Sequence, residues 1–207
     1  LQKNLGGIES FHANGHVTIA ASQGKQRLRC DLWFKQPDSY FIRGRHPLRG
    51  RVFDLESHGG QWRLWNSEEQ RLYGPNSPVQ NPEMAAIIDA VADLSNIPLI
   101  VNWTSPQIGN SFQIMATKPS FVAIQAKYGS KKLSGKVYFT QHFEARNSRF
   151  EWFSKNKYLL ARIICTDYRM TNTYSVPYTL LIQVPSIGQE SYIALDLRNI
   201  ELDPEAF

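Results

Sequence analysis

The stretch FHANGHVTI, residues 11–19, alternates two kinds of side chain and decides the fold class. Apolar or small residues occupy every second position, namely Phe11, Ala13, Gly15, Val17 and Ile19. Because successive side chains of a strand point to opposite faces, this period of two predicts a β-strand with one buried face. The segment LRCDLWF, residues 28–34, repeats the alternation. The two segments therefore predict strands with one apolar face each.

Short segments of the same kind recur along most of the chain. Residues typical of turns separate them, for example at 22–24, 59–60, 118–119 and 129–132. This spacing indicates strands joined by hairpins, and so wide an antiparallel sheet curls to protect its edges. We therefore predict one domain over residues 1–207 that is mainly β, an incomplete (unclosed) antiparallel barrel of about 11–12 strands.

One segment breaks the strand pattern. Residues 81–96 read NPEMAAIIDAVADLSN, in which apolar side chains recur at helical spacing: Met84, Ile87, Ile88, Val91 and Leu94. Asn81 is a favourable cap, and Pro82 stands where a first-turn proline is tolerated. Burial of five such side chains contributes about 8–15 kcal/mol gross, so the helix needs an apolar surface. We expect it to form a lid on the curved sheet.

The charge of the chain allows two interpretations. The net charge is +5, and basic residues concentrate in the first third: Arg27, Arg29, Lys35, Arg43, Arg45, Arg49, Arg51, Arg63 and Arg71. Acidic residues are mixed among them, and no nucleic-acid-binding motif accompanies them, so no nucleic-acid partner is predicted. One interpretation is a solvated outer sheet face. The other is attraction to an anionic membrane surface or an acidic partner.

The two cysteines, Cys30 and Cys165, do not have metal-ligand spacing, and they exclude a disulfide-rich scaffold. Alternation places both on the apolar face of their strands. Two free buried thiols are the favoured interpretation because unpaired cysteine is among the most buried residue types. A bridge between them is the alternative.

No motif predicts an enzyme. The sequence has no G-x-S-x-G elbow, phosphate-binding glycine loop or H-E-x-x-H pair. His12 and His16 would lie about 13 Å apart on one strand, too far to share a metal. The adjacent Glu68 and Glu69 fit a solvated turn better than an acid/base pair. We therefore predict no catalytic residue, no metal and no cofactor.

The predicted apolar interior is unusually rich in aromatic residues, which suggests a hydrophobic ligand. A half-barrel roofed by an apolar helix would hold such a ligand against both walls. The candidate lipid-binding residues are Phe11, Phe34, Trp62, Met84, Ile87, Ile88, Val91, Phe139 and Phe143. The alternative is that these side chains fill a packed core and bind nothing.

Several stretches resemble the bacterial lipoprotein-localisation family of LolA-like carriers and LolB-like receptors. They are the strand start SFHANG at 10–15, DLWFKQP at 31–37, the hairpin GGQWRLW at 59–65 and the last strand LDLRNIELD at 195–203. The resemblance covers most of the chain in pattern and the first third in letters. It implies an incomplete barrel with a helical lid whose concave face takes the acyl chains of lipoproteins or related lipids.

Two positions bear on which branch of the family the chain resembles. LolA-like carriers have an arginine before the proline that ends the second strand, whereas this chain has Gln36. LolB-like receptors expose a leucine on a P-L-G tip between their third and fourth strands. The corresponding residues here are Pro47, Leu48, Arg49 and Gly50, with Arg49 inserted. The resemblance is therefore closer to the receptor at this tip, and it implies that Leu48 and Arg49 contact a membrane.

The resemblance implies a function in the cell envelope. We expect the chain to bind acyl chains of lipoproteins or lipids and to pass them to the outer membrane, as a chaperone in lipoprotein transport. Its site would be the periplasm or the periplasmic face of the outer membrane, with a lipid anchor lost from a trimmed N-terminus. A carrier or receptor protein would be its partner. The alternative is a β-rich protein-interaction module of the cell envelope with no lipid ligand.

Overall fold

The computed structural model places thirteen antiparallel strands in one continuous sheet. It describes residues 9–21, 24–35, 39–58, 61–74, 77, 112–118, 121–128, 131–139, 145–153, 156–172, 174–183, 185 and 191–203. The strands are β1 (Ser10–Ala21), β2 (Gly24–Lys35), β3 (Ser39–His46), β4 (Gly50–His58), β5 (Gln61–Asn66), β6 (Arg71–Tyr73), β7 (Phe112–Lys118), β8 (Phe121–Tyr128), β9 (Lys131–Phe139), β10 (Ala145–Phe153), β11 (Leu159–Thr171), β12 (Tyr174–Gln183) and β13 (Tyr192–Leu202).

The sheet consists of two meanders joined at the chain's first and last strands. Its order is β6-β5-β4-β3-β2-β1-β13-β12-β11-β10-β9-β8-β7. Strand β13 is therefore the central strand, and β1 lies next to it, paired with β2 on its other side. Within the described residues β6 and β7 each pair with one strand, so the sheet is open. A mainly β, unclosed antiparallel sheet is confirmed, with thirteen strands in place of the predicted 11–12.

One face of the sheet, which we call the inner face, holds the hydrophobic core. Alternate residues of β1 and β2 are buried there, including Phe11, Phe34 and Leu32, each at most 2% exposed. The alternate residues of β11, β12 and β13 that point to the same face are buried as well, as Ile163, Leu180 and Leu195 illustrate. The intervening residues, such as Arg27 and Arg29, point to the opposite, outer face and are exposed. The period of two therefore explains the division of the sheet into apolar and charged faces.

The two ends of the sheet carry different hairpins. Because neighbouring strands are antiparallel, the turns after β1, β3, β5, β8, β10 and β12 lie at one end, which we call the tip end. The turns after β2, β4, β7, β9 and β11 lie at the other, the far end. The tip end includes the β3–β4 turn at residues 47–49 and the β10–β11 connection, which contains Tyr158.

Two predicted features need comment. The turn predicted at 129–132 is shorter than expected, because Lys131 already begins β9 and pairs with Tyr128. The predicted helical lid over 81–96 lies outside the described residues, as does Gln36. The described residues contain no helix with the length and hydropathy needed to cross a bilayer.

Candidate functional site

The predicted lipid-binding residues of the first strands all lie on the inner face. Phe11 and Phe34 pair across β1 and β2 with ring centroids 5.3 Å apart. Phe34 is completely buried, and Trp62 on β5 is 7% exposed. The register β1 to β5 places Trp62 three strands from Phe34, in the same row of inward side chains through Tyr40 and Ser57. The sheet therefore brings together three residues that are far apart in sequence.

Of the other predicted lipid-binding residues, one lies in the described part of the chain. Phe139 ends β9, where it pairs with Ala145. The remaining residues lie outside the described part of the chain: Met84, Ile87, Ile88, Val91 and Phe143. The candidate wall consequently rests on Phe11, Phe34 and Trp62.

A cavity of about 640 Å³ opens beside Trp62 at the far end of the sheet. Residues of β3, β4, β5 and β6 line it, and its aromatic members are Tyr40, Phe41, Trp62 and Tyr73. Ser39, His58 and Arg63 add polar groups, and Ser39 Oγ and His58 Nδ1 are 2.6 Å apart. Pockets for small organic ligands usually measure ~300–1,000 Å³ and combine apolar walls with a few polar groups. This cavity falls within that size range, and its lining includes the outer-face Phe41 and Arg63 as well as the inner-face Trp62.

A buried polar cluster on β10 and β11 was not predicted from the sequence. Ser148 Oγ and Tyr168 Oη are 2.7 Å apart, and the Cys165 thiol hydrogen-bonds with both side chains. Asp167, which lies between Cys165 and Tyr168 on β11, takes a positive φ of 53°. The sequence signal for this irregularity is weak, since nothing local distinguishes Asp167 from an ordinary strand residue.

Both cysteines are buried and free. Burial raises the pKa of the Cys30 thiol to about 12, with Asp31 and Asp196 adding to the effect. Burial likewise raises the pKa of Cys165 to about 12, although hydrogen bonds with Ser148 and Tyr168 oppose it. The favoured interpretation of two unpaired buried thiols is confirmed, and the bridge is wrong.

We expect neither thiol of the native protein to react with a maleimide at pH 8. A thiol with a pKa of about 12 is ionised to roughly one part in ten thousand at that pH, and no reagent reaches the buried sulfur. Intact mass after labelling measures the result, and the same reaction in guanidinium should modify both cysteines. Rapid labelling of the native chain, or no labelling after unfolding, would contradict the burial or the free state.

The outer face of the first strands is charged and internally paired. Arg43 donates to both carboxylate oxygens of Asp54, at 2.9 and 2.8 Å, and Arg51 lies 3.1 Å from the same group. Arg45 is ion-paired with Asp31 at 3.3 Å. This arrangement agrees with the solvated outer face predicted from the mixed charges. No group of side chains suited to a metal occurs in the part of the chain that the structure describes.

Leu48 lies at the apex of the β3–β4 hairpin and is 91% exposed. The turn is ordered by His46, whose Nδ1 accepts hydrogen bonds from the backbone N–H groups of Leu48 and Arg49 at 3.2 and 3.3 Å. Arg45, Arg49 and Gly50 next to the apex are also exposed. The turn therefore presents an apolar side chain at its apex, with the exposed Arg45 and Arg49 nearby.

Comparison with known proteins identifies the fold. No protein-family model and no curated protein matches the sequence. A protein of the DUF1329 family from Desulfovibrio piger is similar in structure, with a TM-score of 0.65 and 10% identity, over 97% of this chain and 88% of that one.

Two further solved structures have a similar fold. A domain described as an outer membrane lipoprotein-sorting protein from Vibrio parahaemolyticus has a TM-score of 0.62 at 10% identity, over 97% of this chain and 88% of its own. A LolA superfamily protein from Nitrosomonas europaea has a TM-score of 0.62 at 14% identity, over 95% and 87%. The chain therefore has the fold of LolA superfamily proteins.

Proposed function

We propose that the chain binds acyl chains of lipoproteins or lipids against its inner face and passes them to the outer membrane. The observation that carries the proposal is one open sheet with a continuous apolar inner face and a cavity beside Trp62. The fold likeness supports it, because two of the similar structures are described as a lipoprotein-sorting domain and a LolA superfamily protein. The same likeness supports a place in the bacterial cell envelope.

The energetics suit a carrier. Burial of a sixteen-carbon chain contributes about 12 kcal/mol at ~0.8 kcal/mol per methylene, which is too much for easy release unless the protein contributes a competing contact. The apolar segment 81–96 would supply that contact if it packs as a lid on the same wall. Opening the lid would then offset part of the gain, and the remaining affinity would permit transfer.

The exposed hairpin suits delivery. Leu48 and Arg49 would place one apolar side chain and one cation in the interface of the acceptor membrane. No covalent chemistry is needed for such a transfer, so we propose a carrier or receptor protein and not an enzyme. Its direct partners would be lipoprotein acyl chains, the membrane surface and a second carrier or receptor protein.

We expect the purified protein to take up a fluorescent sixteen-carbon fatty acid, and Trp62→Leu to weaken that binding about tenfold. Loss of aromatic surface in the cavity removes apolar contact with the ligand worth about 1.4 kcal/mol. A fluorescence titration measures the dissociation constant, and native mass spectrometry of protein from cells identifies co-purified lipid.

Trp33→Leu is the matched control, since Trp33 lies on the outer face of β2 and stacks on His12 with centroids 4.7 Å apart. It should change binding less than twofold, because the outer face does not contact the ligand. Circular dichroism confirms that both variants are folded. A ligand-free mass together with no uptake would favour the alternative function, a protein-interaction module whose aromatic residues only form a core.

A further inference from the structure

The tip end of the sheet has a second exposed hairpin that the sequence did not single out. Tyr158, in the β10–β11 connection, is 72% exposed. The preceding Lys157 is also exposed and has a positive φ of 64°, so the backbone turns sharply there. Pairing of β10 with β11 and of β3 with β4 places this connection at the same end of the sheet as Leu48.

Five strand spacings separate the two hairpins, from β3 through β2, β1, β13 and β12 to β11. At ~4.8 Å per spacing the distance along the sheet is about 24 Å. An amphipathic tyrosine and a leucine are therefore both exposed at this end of the sheet. Tyrosine is enriched where one end of the side chain is apolar and the other meets water, as in a membrane interface.

The charges between these hairpins favour an anionic surface. The exposed cations of the described tip end on this span are Lys25, Arg27, Arg45, Arg49, Arg51 and Lys157. Three of these cations, Arg27, Arg45 and Arg51, are ion-paired with carboxylates on β13, β2 and β4. Lys25, Arg49 and Lys157 form no ion pair within the described residues. Glu68 and Glu69 belong to the β5–β6 hairpin, outside the span.

The far end of the sheet has acidic residues on β13 and just after it. Asp203 accepts hydrogen bonds from the backbone N–H groups of Glu9 and Ser10, both at 2.9 Å, and Glu201 lies nearby on β13. Among the described residues, Arg49 and Lys157 are exposed beside the two apices of the tip end, whereas these two carboxylates lie at the far end.

We propose that the Leu48 hairpin and the Tyr158 hairpin together dock on an anionic phospholipid bilayer. This inference rests on the proposed function and deepens it, because it names the surface and adds a second contact. Docking at two points would orient the sheet with its strands towards the membrane, whereas one apex would leave the protein free to tilt.

A site-specific fluorophore tests the docking. Cys30 and Cys165 are buried, so a single cysteine introduced at an exposed site is labelled selectively. Leu48→Cys, Tyr158→Cys and Met170→Cys would each carry a polarity-sensitive dye. Met170 is the matched control because it is apolar and 54% exposed, yet lies next to the β11–β12 turn at the far end.

On addition of phosphatidylcholine–phosphatidylglycerol vesicles, we expect the dye at positions 48 and 158 to brighten and shift to the blue, and the dye at 170 to remain unchanged. Pure phosphatidylcholine vesicles, or high salt, should reduce the response because the charges are then absent or screened. In cosedimentation, Lys157→Asn should weaken binding about fivefold, and asparagine tolerates the positive φ.

A response at 48 without one at 158 would overturn the second contact. A response at 170, or none at either apex, would overturn docking by the tip end altogether. Fatty-acid uptake in the absence of vesicles is measured on the same variants, because it reports on the inner face alone. Retained uptake without docking would refute this inference and leave acyl binding intact. If the unlabelled wild type takes up no fatty acid, the proposed function is refuted.

Discussion

Gly15→Ala is expected to lower the free energy of unfolding by about 3 kcal/mol or more. Gly15 lies at a register shift between β1 and β13. A Cβ there would collide with the backbone carbonyl oxygen of Asp196 and approach the Leu197 Cα to 2.9 Å. Backbone atoms in the middle of a sheet cannot move away without breaking the pairing that joins the two meanders. Overpacking of this kind commonly costs ~1–3 kcal/mol, and more where the obstacle is rigid.

Two other glycines provide graded controls. A Cβ at Gly44 would meet the ring of Phe53, a side chain that can rotate away, so Gly44→Ala should cost less than Gly15→Ala. A Cβ at Gly74 would approach Trp62 O only to 3.7 Å, an ordinary contact, so Gly74→Ala should be nearly neutral. Urea denaturation at constant m-value measures all three changes. Equal midpoints for Gly15→Ala and Gly74→Ala would contradict the close approach of β1 to β13.

The second large effect concerns delivery. Leu48→Glu is expected to leave fatty-acid uptake intact but to slow transfer to anionic vesicles by roughly tenfold or more. The leucine loses about 1.5–3 kcal/mol of apolar burial in the interface, and the new carboxylate is repelled by anionic head groups. The fold should tolerate the change because the side chain is 91% exposed and the turn is held by hydrogen bonds to His46.

Met170→Glu is the control for the charge change. It introduces the same carboxylate in place of an exposed apolar side chain at the far end. Transfer of a fluorescent fatty acid to quencher-containing vesicles should proceed at the wild-type rate in this variant. Unchanged transfer by Leu48→Glu, or equal slowing by both variants, would argue against a membrane contact at the apex.

The sequence predicted the inner face correctly where the pattern is local. Alternation over 11–19 and 28–34 placed Phe11, Cys30 and Phe34 together, and all three are at most 2% exposed on that face. A period of two depends only on the geometry of a single strand, so it can be read without knowing the neighbours. The exposed Leu48 was expected from the resemblance to LolB-like receptors, and it is 91% exposed.

The irregular features could not be predicted in this way. The cluster of Ser148, Cys165 and Tyr168 includes residues of two strands and lies beside the positive φ of Asp167, which strand alternation cannot anticipate. The cavity beside Trp62 depends on how four strands end, because hairpin lengths and not residue types decide which side chains border an opening. A predicted site on residues 84–91 still awaits a test.

By itself the sequence determined a mainly β chain and the parity of its buried side chains, because both follow from spacing within one strand. Tertiary structure alone decided that β1 pairs with β13, nearly the whole chain apart, and that the Leu48 and Tyr158 hairpins share one end of the sheet. Strand pairing depends on backbone hydrogen bonds, which every residue type except proline supplies equally, so the partner of a strand is left to global packing. Gly15 illustrates the difference. The sequence shows only that position 15 is a glycine, and the structure shows that β13 lies too close there for a side chain.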